Sequence, residues 1–225
     1  MSKEAQKELV TINPTTGKVI KKYPLMTYKQ ADEAVEKCHK AFLDWRMVSH
    51  KERGKIIKAI GKELKENAEE LSKLMTNEMG KLLKQSKQEI ELCAGICDWT
   101  AANGPENLKD EERELPDGGK GIITNSPIGV IYGIQPWNFP VYQVIRYSIA
   151  NLMAGNGILL KHAENVTGTG LMLQKIYEKA GLPKNLFTVY YPPFFCSQCN
   201  CAKCSLARSR SITFRKWLSI NRPFL

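Results

Sequence analysis

Three features of the chain predict an α/β architecture built on a parallel sheet. Two stretches of helical periodicity open the chain, short β-branched runs between turn residues follow residue 115, and strand-like and helix-like segments alternate from residue 130. The alternating segments are 130–134 as strand, 141–152 as helix, 157–161 as strand, 167–180 as helix and 186–189 as strand.

Each element has a local reason. Asn13-Pro14-Thr15-Thr16-Gly17 between two short apolar runs reads as a turn joining two strands. Thr27 and Gln30 have the spacing of a capping box, after which Ala31, Val35, Cys38, Phe42 and Trp45 recur on one helical face. Ser49 and Glu52 repeat the signal ahead of Ile57, Ile60, Leu64, Ala68, Leu71 and Met75, read as one helix. A third amphipathic stretch covers 83–103, with Gly104-Pro105 as its stop. From 115 to 130, turn clusters at Pro116-Asp117-Gly118-Gly119 and Ser126-Pro127 separate Ile122-Ile123 from Val130-Ile131, which is hairpin chemistry. Gly181-Leu182-Pro183 stops the last helix.

Composition narrows the function classes. Hydrophobic content of 43% and charged content of 25% are ordinary for a globular chain of 225 residues, and no apolar run reaches membrane-spanning length. The first residues have no apolar signal core, so a cytoplasmic location is expected. The net charge of +10 would suit a nucleic-acid partner, but six of the 33 basic residues and none of the acidic ones lie in 191–225. That leaves 27 basic against 23 acidic residues on the first 190, where Lys and Glu alternate as on a solvated surface, so neither nucleic acid nor a membrane is expected as partner. Cys38, Cys93 and Cys97 sit at apolar helix positions and read as buried thiols.

In an open parallel sheet, ligands bind at the carboxyl ends of the strands, which directs attention to the loops after Ile134 and Leu160. In the first, prolines bracket Trp137-Asn138-Phe139 and would hold the Asn138 amide in place, as a donor to an oxyanion requires. In the second, Lys161 ends an apolar run. Arg146 follows Asn138 by eight residues, a little over two helical turns, and its planar fork suits a carboxylate. Taken singly, Asn138 also fits a structural turn, Lys161 a solvated charge and Arg146 an exposed helix cation. His39, His50 and His162 have no metal or triad spacing.

Together, Pro136-Trp137-Asn138-Phe139-Pro140, Arg146 and Lys161-His162-Ala163-Glu164 resemble the aldehyde dehydrogenase superfamily from about residue 11 to about 189, with Arg146 pointing to its succinate-semialdehyde branch. The resemblance implies the N-terminal part of that fold. A Rossmann-like NAD(P)-binding region would cover 1–190, with an oligomerisation arm at about 113–132, and 191–225 would be a basic Cys-rich tail foreign to the family. It also implies oxidation of a small aldehyde, foremost succinate semialdehyde to succinate, by a homo-oligomer. Asn138 would be the oxyanion donor, Ile134, Trp137, Lys161 and Glu164 would contact the cofactor, and Arg146 would hold the substrate's distal acid. Glu164 would repel a ribose 2′-phosphate, which favours NAD slightly over NADP. His162 stands where the family more often has Pro.

The chain leaves the family pattern before the Gly-Ser cofactor loop, the Glu general base and the nucleophilic Cys, so it is expected to be inactive alone. Two other readings remain. One is a non-catalytic interaction protein that pairs through the arm. The other is a zinc-dependent nucleic-acid module at Cys196, Cys199, Cys201 and Cys204, against which the single residue between the central pair weighs; a frame disruption fits the tail better.

Overall fold

The structure, a computed structural model, describes residues 8–191. The tail with its four cysteines, and the frame reading made for it, lie outside the described residues. Strands β1 (Glu8–Ile12) and β2 (Val19–Pro24) form the expected antiparallel pair around Asn13, whose side chain accepts from Thr15 and Thr16 N–H at 2.9 and 3.1 Å. Helix α1 (Tyr28–Trp45) starts at the reciprocal Thr27–Gln30 capping box and buries Ala31, Ala34, Cys38, Phe42 and Trp45.

The second long helix is in fact two, α2 (His50–Glu66) and α3 (Ala68–Met79). Asn67 separates them, because its side-chain amide donates to Glu63 O at 2.7 Å and draws that carbonyl into a local bond. The apolar face runs unbroken through Leu64, Leu71 and Met75, which is why periodicity hides the break. Gly80, at φ +77, ends α3 in the left-handed conformation that favours glycine.

Helix α4 (Leu83–Asn107) also departs from expectation, since it runs past Gly104 with Pro105 inside its last turn. Gly104 serves packing there. A Cβ would meet Met153 Cγ at 2.6 Å, so only glycine lets α4 approach that closely.

The hairpin consists of β3 (Glu111–Glu114) and β4 (Lys120–Ile123), antiparallel and closed by the Leu115–Gly119 turn. It starts earlier than the predicted arm, because the charged Glu111–Glu114 run is exposed along its length and has no apolar alternation to betray it. Val130-Ile131 belongs instead to the central sheet, where β5 (Val130–Gln135), β6 (Gly157–His162) and β7 (Phe187–Val189) run parallel in the order β5-β6-β7. Helices α5 (Tyr142–Met153) and α6 (Thr167–Lys179) supply the two crossovers. Helix α1 crosses all three strands, and α2, α3 and α4 pack on the crossover helices.

The amino ends of the strands are pinned by polar contacts. Asn156 Oδ1 accepts from Ile128 and Gly129 N–H at 2.8 and 3.0 Å, the Trp45 indole N–H donates to Leu152 O at 2.9 Å, and Arg53 donates to Met153 O and Arg46 O, both at 2.9 Å. That leaves the carboxyl ends as the open rim of the sheet.

Candidate active site

The two loops singled out in the sequence meet at this rim. Ile134 and Lys161 are Cα partners in the parallel ladder, as are Gln135 and His162, so the strands end level with each other. The loop of Pro136–Pro140 leaves β5 with Trp137, Asn138 and Phe139 all exposed, while Pro140 and Val141 are buried and anchor it to α5. Beyond β6, Glu164 opens a 3-10 turn (Glu164–Val166) and is exposed.

Arg146 lies on the exposed side of α5. A line of rings connects it to the Asn138 loop: its guanidinium stands 5.9 Å from the Tyr142 ring centre, and Phe139 meets Tyr142 edge-on at 6.3 Å. All six predicted residues, Ile134, Trp137, Asn138, Arg146, Lys161 and Glu164, thus border the carboxyl ends of β5 and β6 or the helix that follows β5.

Two elements of the site escaped the sequence reading. The first is His162, which is 6% exposed. Ala163 N–H donates to its Nδ1 at 3.0 Å, which places the ring proton on Nε2, and Nε2–H donates to Pro140 O at 2.9 Å. The imidazole therefore ties the end of the first loop to the start of the second. Burial pushes its pKa below the ordinary value, against the carbonyl contacts at Pro140 and Gln135, so the neutral ring is the resident form. A His signal without metal or triad spacing gave no hint of this.

The second is an ion pair beneath the first loop. Glu89 on α4 accepts from Val141 and Tyr142 N–H at 2.9 and 2.8 Å through Oε1, and its Oε2 meets Lys81 Nζ. The side chains are 2% and 8% exposed. Lys81 Nζ also lies 3.8 Å from the Phe139 ring centre.

The rim combines half-exposed apolar surface at Ile134 and Trp137 with a cation at Lys161 and an exposed carboxylate at Glu164, residue types that could hold a dinucleotide. The N-terminus of α6 is closed to phosphate, because Glu78 fills it: Gly168 N–H, Thr169 N–H and Thr169 Oγ1 donate to its carboxylate at 2.9, 2.9 and 2.7 Å. Among the described residues, no cluster of metal-ligating side chains occurs and no helix is long and apolar enough to cross a membrane. Cys38, Cys93 and Cys97 are buried and free, as expected; burial pushes the Cys38 and Cys97 thiols up to about 12 and raises Cys93 as well.

Comparison with known proteins agrees with this geometry. The model of the aldehyde dehydrogenase family matches residues 1–193. A Deinococcus radiodurans protein named succinate-semialdehyde dehydrogenase [NADP(+)] is 34% identical over 187 residues, covering 83% of this chain and 39% of that protein. The Escherichia coli succinate semialdehyde dehydrogenase [NAD(P)+] Sad is 36% identical over 178 residues, covering 79% and 38%. The crystal structure of succinic semialdehyde dehydrogenase from Streptococcus pyogenes in complex with NADP+ superposes with a TM-score of 0.78 at 29% identity, covering 81% of this chain and 40% of that one. The chain spans about 40% of the length of the curated relatives it matches. With the strand-end loops, the parallel sheet and the family match all in agreement, the chain belongs to the aldehyde dehydrogenase family.

Proposed function

We propose that this part of the molecule serves the NAD(P)-dependent oxidation of succinate semialdehyde to succinate. The reading is carried by the contiguous run from Asn138 through Phe139 and Tyr142 to Arg146, which offers an amide donor at one end and an exposed guanidinium at the other. A four-carbon semialdehyde carries matching groups. Its carbonyl oxygen would accept from the Asn138 amide as negative charge develops there, and its distal carboxylate would pair with the Arg146 fork. The bound dinucleotide supplies the hydride acceptor. Lys161 and Glu164 would hold its ribose, with Ile134 and Trp137 as apolar walls.

Glu164 is the argument for NAD, since a carboxylate repels a 2′-phosphate; the relatives named for NADP(+) lend that leaning no support. The dinucleotide is therefore written NAD(P). The hairpin arm, with Ile122 63% and Ile123 52% exposed, is proposed to pair with a second copy. The 225-residue chain alone is proposed to be inactive: among the described residues the thiols of Cys38, Cys93 and Cys97 are buried and protonated at neutral pH, and none of the four tail cysteines stands in a sequence like the family's nucleophile segment.

Arg146→Ala tests the substrate assignment. Residues 8–191 would be grafted in place of the matching segment of the Deinococcus radiodurans relative. The variant is expected to raise KM for succinate semialdehyde at least about 10-fold, as befits a lost charge-assisted pair, with little change for butyraldehyde. Equal effects on both aldehydes would remove the carboxylate role.

A further inference from the structure

We propose that Lys81 and Glu89 are positioning residues that set the place of the Asn138 amide. This deepens the proposed function and rests on Asn138 being the oxyanion donor. Both hold the loop through its backbone and the Phe139 ring.

The contacts are specific to this loop. Glu89 takes the N–H groups of Val141 and Tyr142, the first residues after the closing proline, on a single oxygen. Its other oxygen holds Lys81, whose ammonium stands over Phe139 at 3.8 Å and 3.5 Å from the Asn138 carbonyl oxygen, a weak contact. The pair thus touches residues 138, 139, 141 and 142 and leaves the Asn138 side chain in the open. Pro136 and Pro140 limit the loop's internal freedom, but they do not fix it relative to the sheet. The ion pair supplies that missing restraint, because α4, which carries Glu89, is packed on α5. Gly80 is what brings Lys81 there: the left-handed turn that ends α3 places Lys81 in the short link before α4.

A buried ion pair gives little net stability compared with an apolar pair of similar volume, which makes restraint of the loop its more distinctive consequence. An oxyanion donor must sit within a fraction of an ångström of its target, so loss of this restraint would matter more to turnover than to folding.

The prediction is tested on the ¹⁵N-labelled 225-residue chain, comparing the wild type with the double variant Lys81→Met/Glu89→Leu by NMR and amide hydrogen exchange. Replacing both charges with apolar side chains removes the acceptor of the Val141 and Tyr142 N–H groups, so the thermal midpoint should fall by several degrees while the chain stays folded. Exchange at Val141 and Tyr142 should quicken about 10- to 100-fold, the factor carried by loss of a hydrogen bond to a charged group. The backbone and side-chain amide signals of Asn138 should shift from their wild-type positions, since the Lys81 ammonium leaves the Asn138 carbonyl oxygen and the Phe139 ring. Unmoved Asn138 signals in a folded double variant would overturn the proposal.

Should that double variant lose the fold, Lys81→Met/Glu89→Gln decides. Gln keeps a carbonyl oxygen for the two N–H groups and leaves no unpaired buried charge, while the cation at Asn138 O and Phe139 is gone, so a shift of both residues' signals supports the proposal and no shift overturns it. The readout is the loop and not turnover, so it is separable from the oxyanion assignment. If Asn138→Ala leaves a grafted enzyme's turnover unchanged while the loop still depends on Lys81 and Glu89, the functional reading falls and the restraint stands.

Discussion

Replacing His162 with Ala probes the joint between the two site loops. The wild-type ring is 6% exposed and makes two neutral hydrogen bonds, to Pro140 O at 2.9 Å and from Ala163 N–H at 3.0 Å. Ala163 N–H keeps a second acceptor, Gln135 O at 3.0 Å, so the larger loss falls on the Pro140 carbonyl. One full bond at about 1 kcal/mol, part of a second, and the cavity left by the ring place the cost at about 2–3 kcal/mol. For a domain of this size that lowers the thermal midpoint by about 4–12 °C. Urea unfolding at pH 7.5 measures it as a fall in midpoint with unchanged slope.

Acid adds a second check. Because burial lowers the imidazole pKa in the folded state, the unfolded chain binds the proton first. The stability contributed by the neutral ring is complete above about 6.5 and is lost as pH falls through the folded value. The difference between wild type and His162→Ala should therefore shrink from pH 7.5 toward pH 5. A cost under about 0.5 kcal/mol at pH 7.5, or a difference that does not vary with pH, would refute the joint.

Glu78 is expected to show the opposite dependence. Its carboxyl is raised, chiefly by burial, so the folded state binds more protons between the ordinary carboxyl value and the folded one. The associated stability is complete below about 4.5 and is lost as pH rises through the folded value. Thermal midpoints from pH 4.5 to 8 should decline less for Glu78→Gln than for wild type, and parallel curves would dismiss the titration. The chain alone should form no reduced NAD or NADP with any aldehyde, and thiol titration should leave Cys38, Cys93 and Cys97 unmodified until denaturant is added. Turnover above a buffer control would contradict the inactive reading.

Much of the sheet and its rim could be read directly from the chain. The strands 130–134, 157–161 and 186–189 appear within one residue of their observed limits, because apolar runs between turn residues signal buried parallel strands. The proline-bracketed loop was equally plain. What periodicity missed has a common cause in that apolar spacing reports burial and not backbone continuity. Asn67 breaks a helix whose apolar face does not change, and Gly104 permits a contact where it was taken for a stop. Strand β3 is charged and exposed, so nothing alternates. Nothing in the sequence sets Lys81 and Glu89 apart from the chain's other Lys and Glu residues; only the fold shows that residues eight apart close on each other beside Phe139. Most ion pairs found on the helices, such as Lys73–Glu69 at 3.1 Å, are indeed the solvated kind that contributes little.

The central claim is that the rim loop presents Asn138 to an aldehyde carbonyl. Turnover by the enzyme carrying residues 8–191 in place of a relative's matching segment, with Asn138 and with Asn138→Ala, tests it most directly. The substitution should lower kcat about 10²- to 10³-fold, the usual loss for one oxyanion donor, while leaving dinucleotide affinity unchanged. An unchanged kcat would contradict the account and return Asn138 to a structural turn.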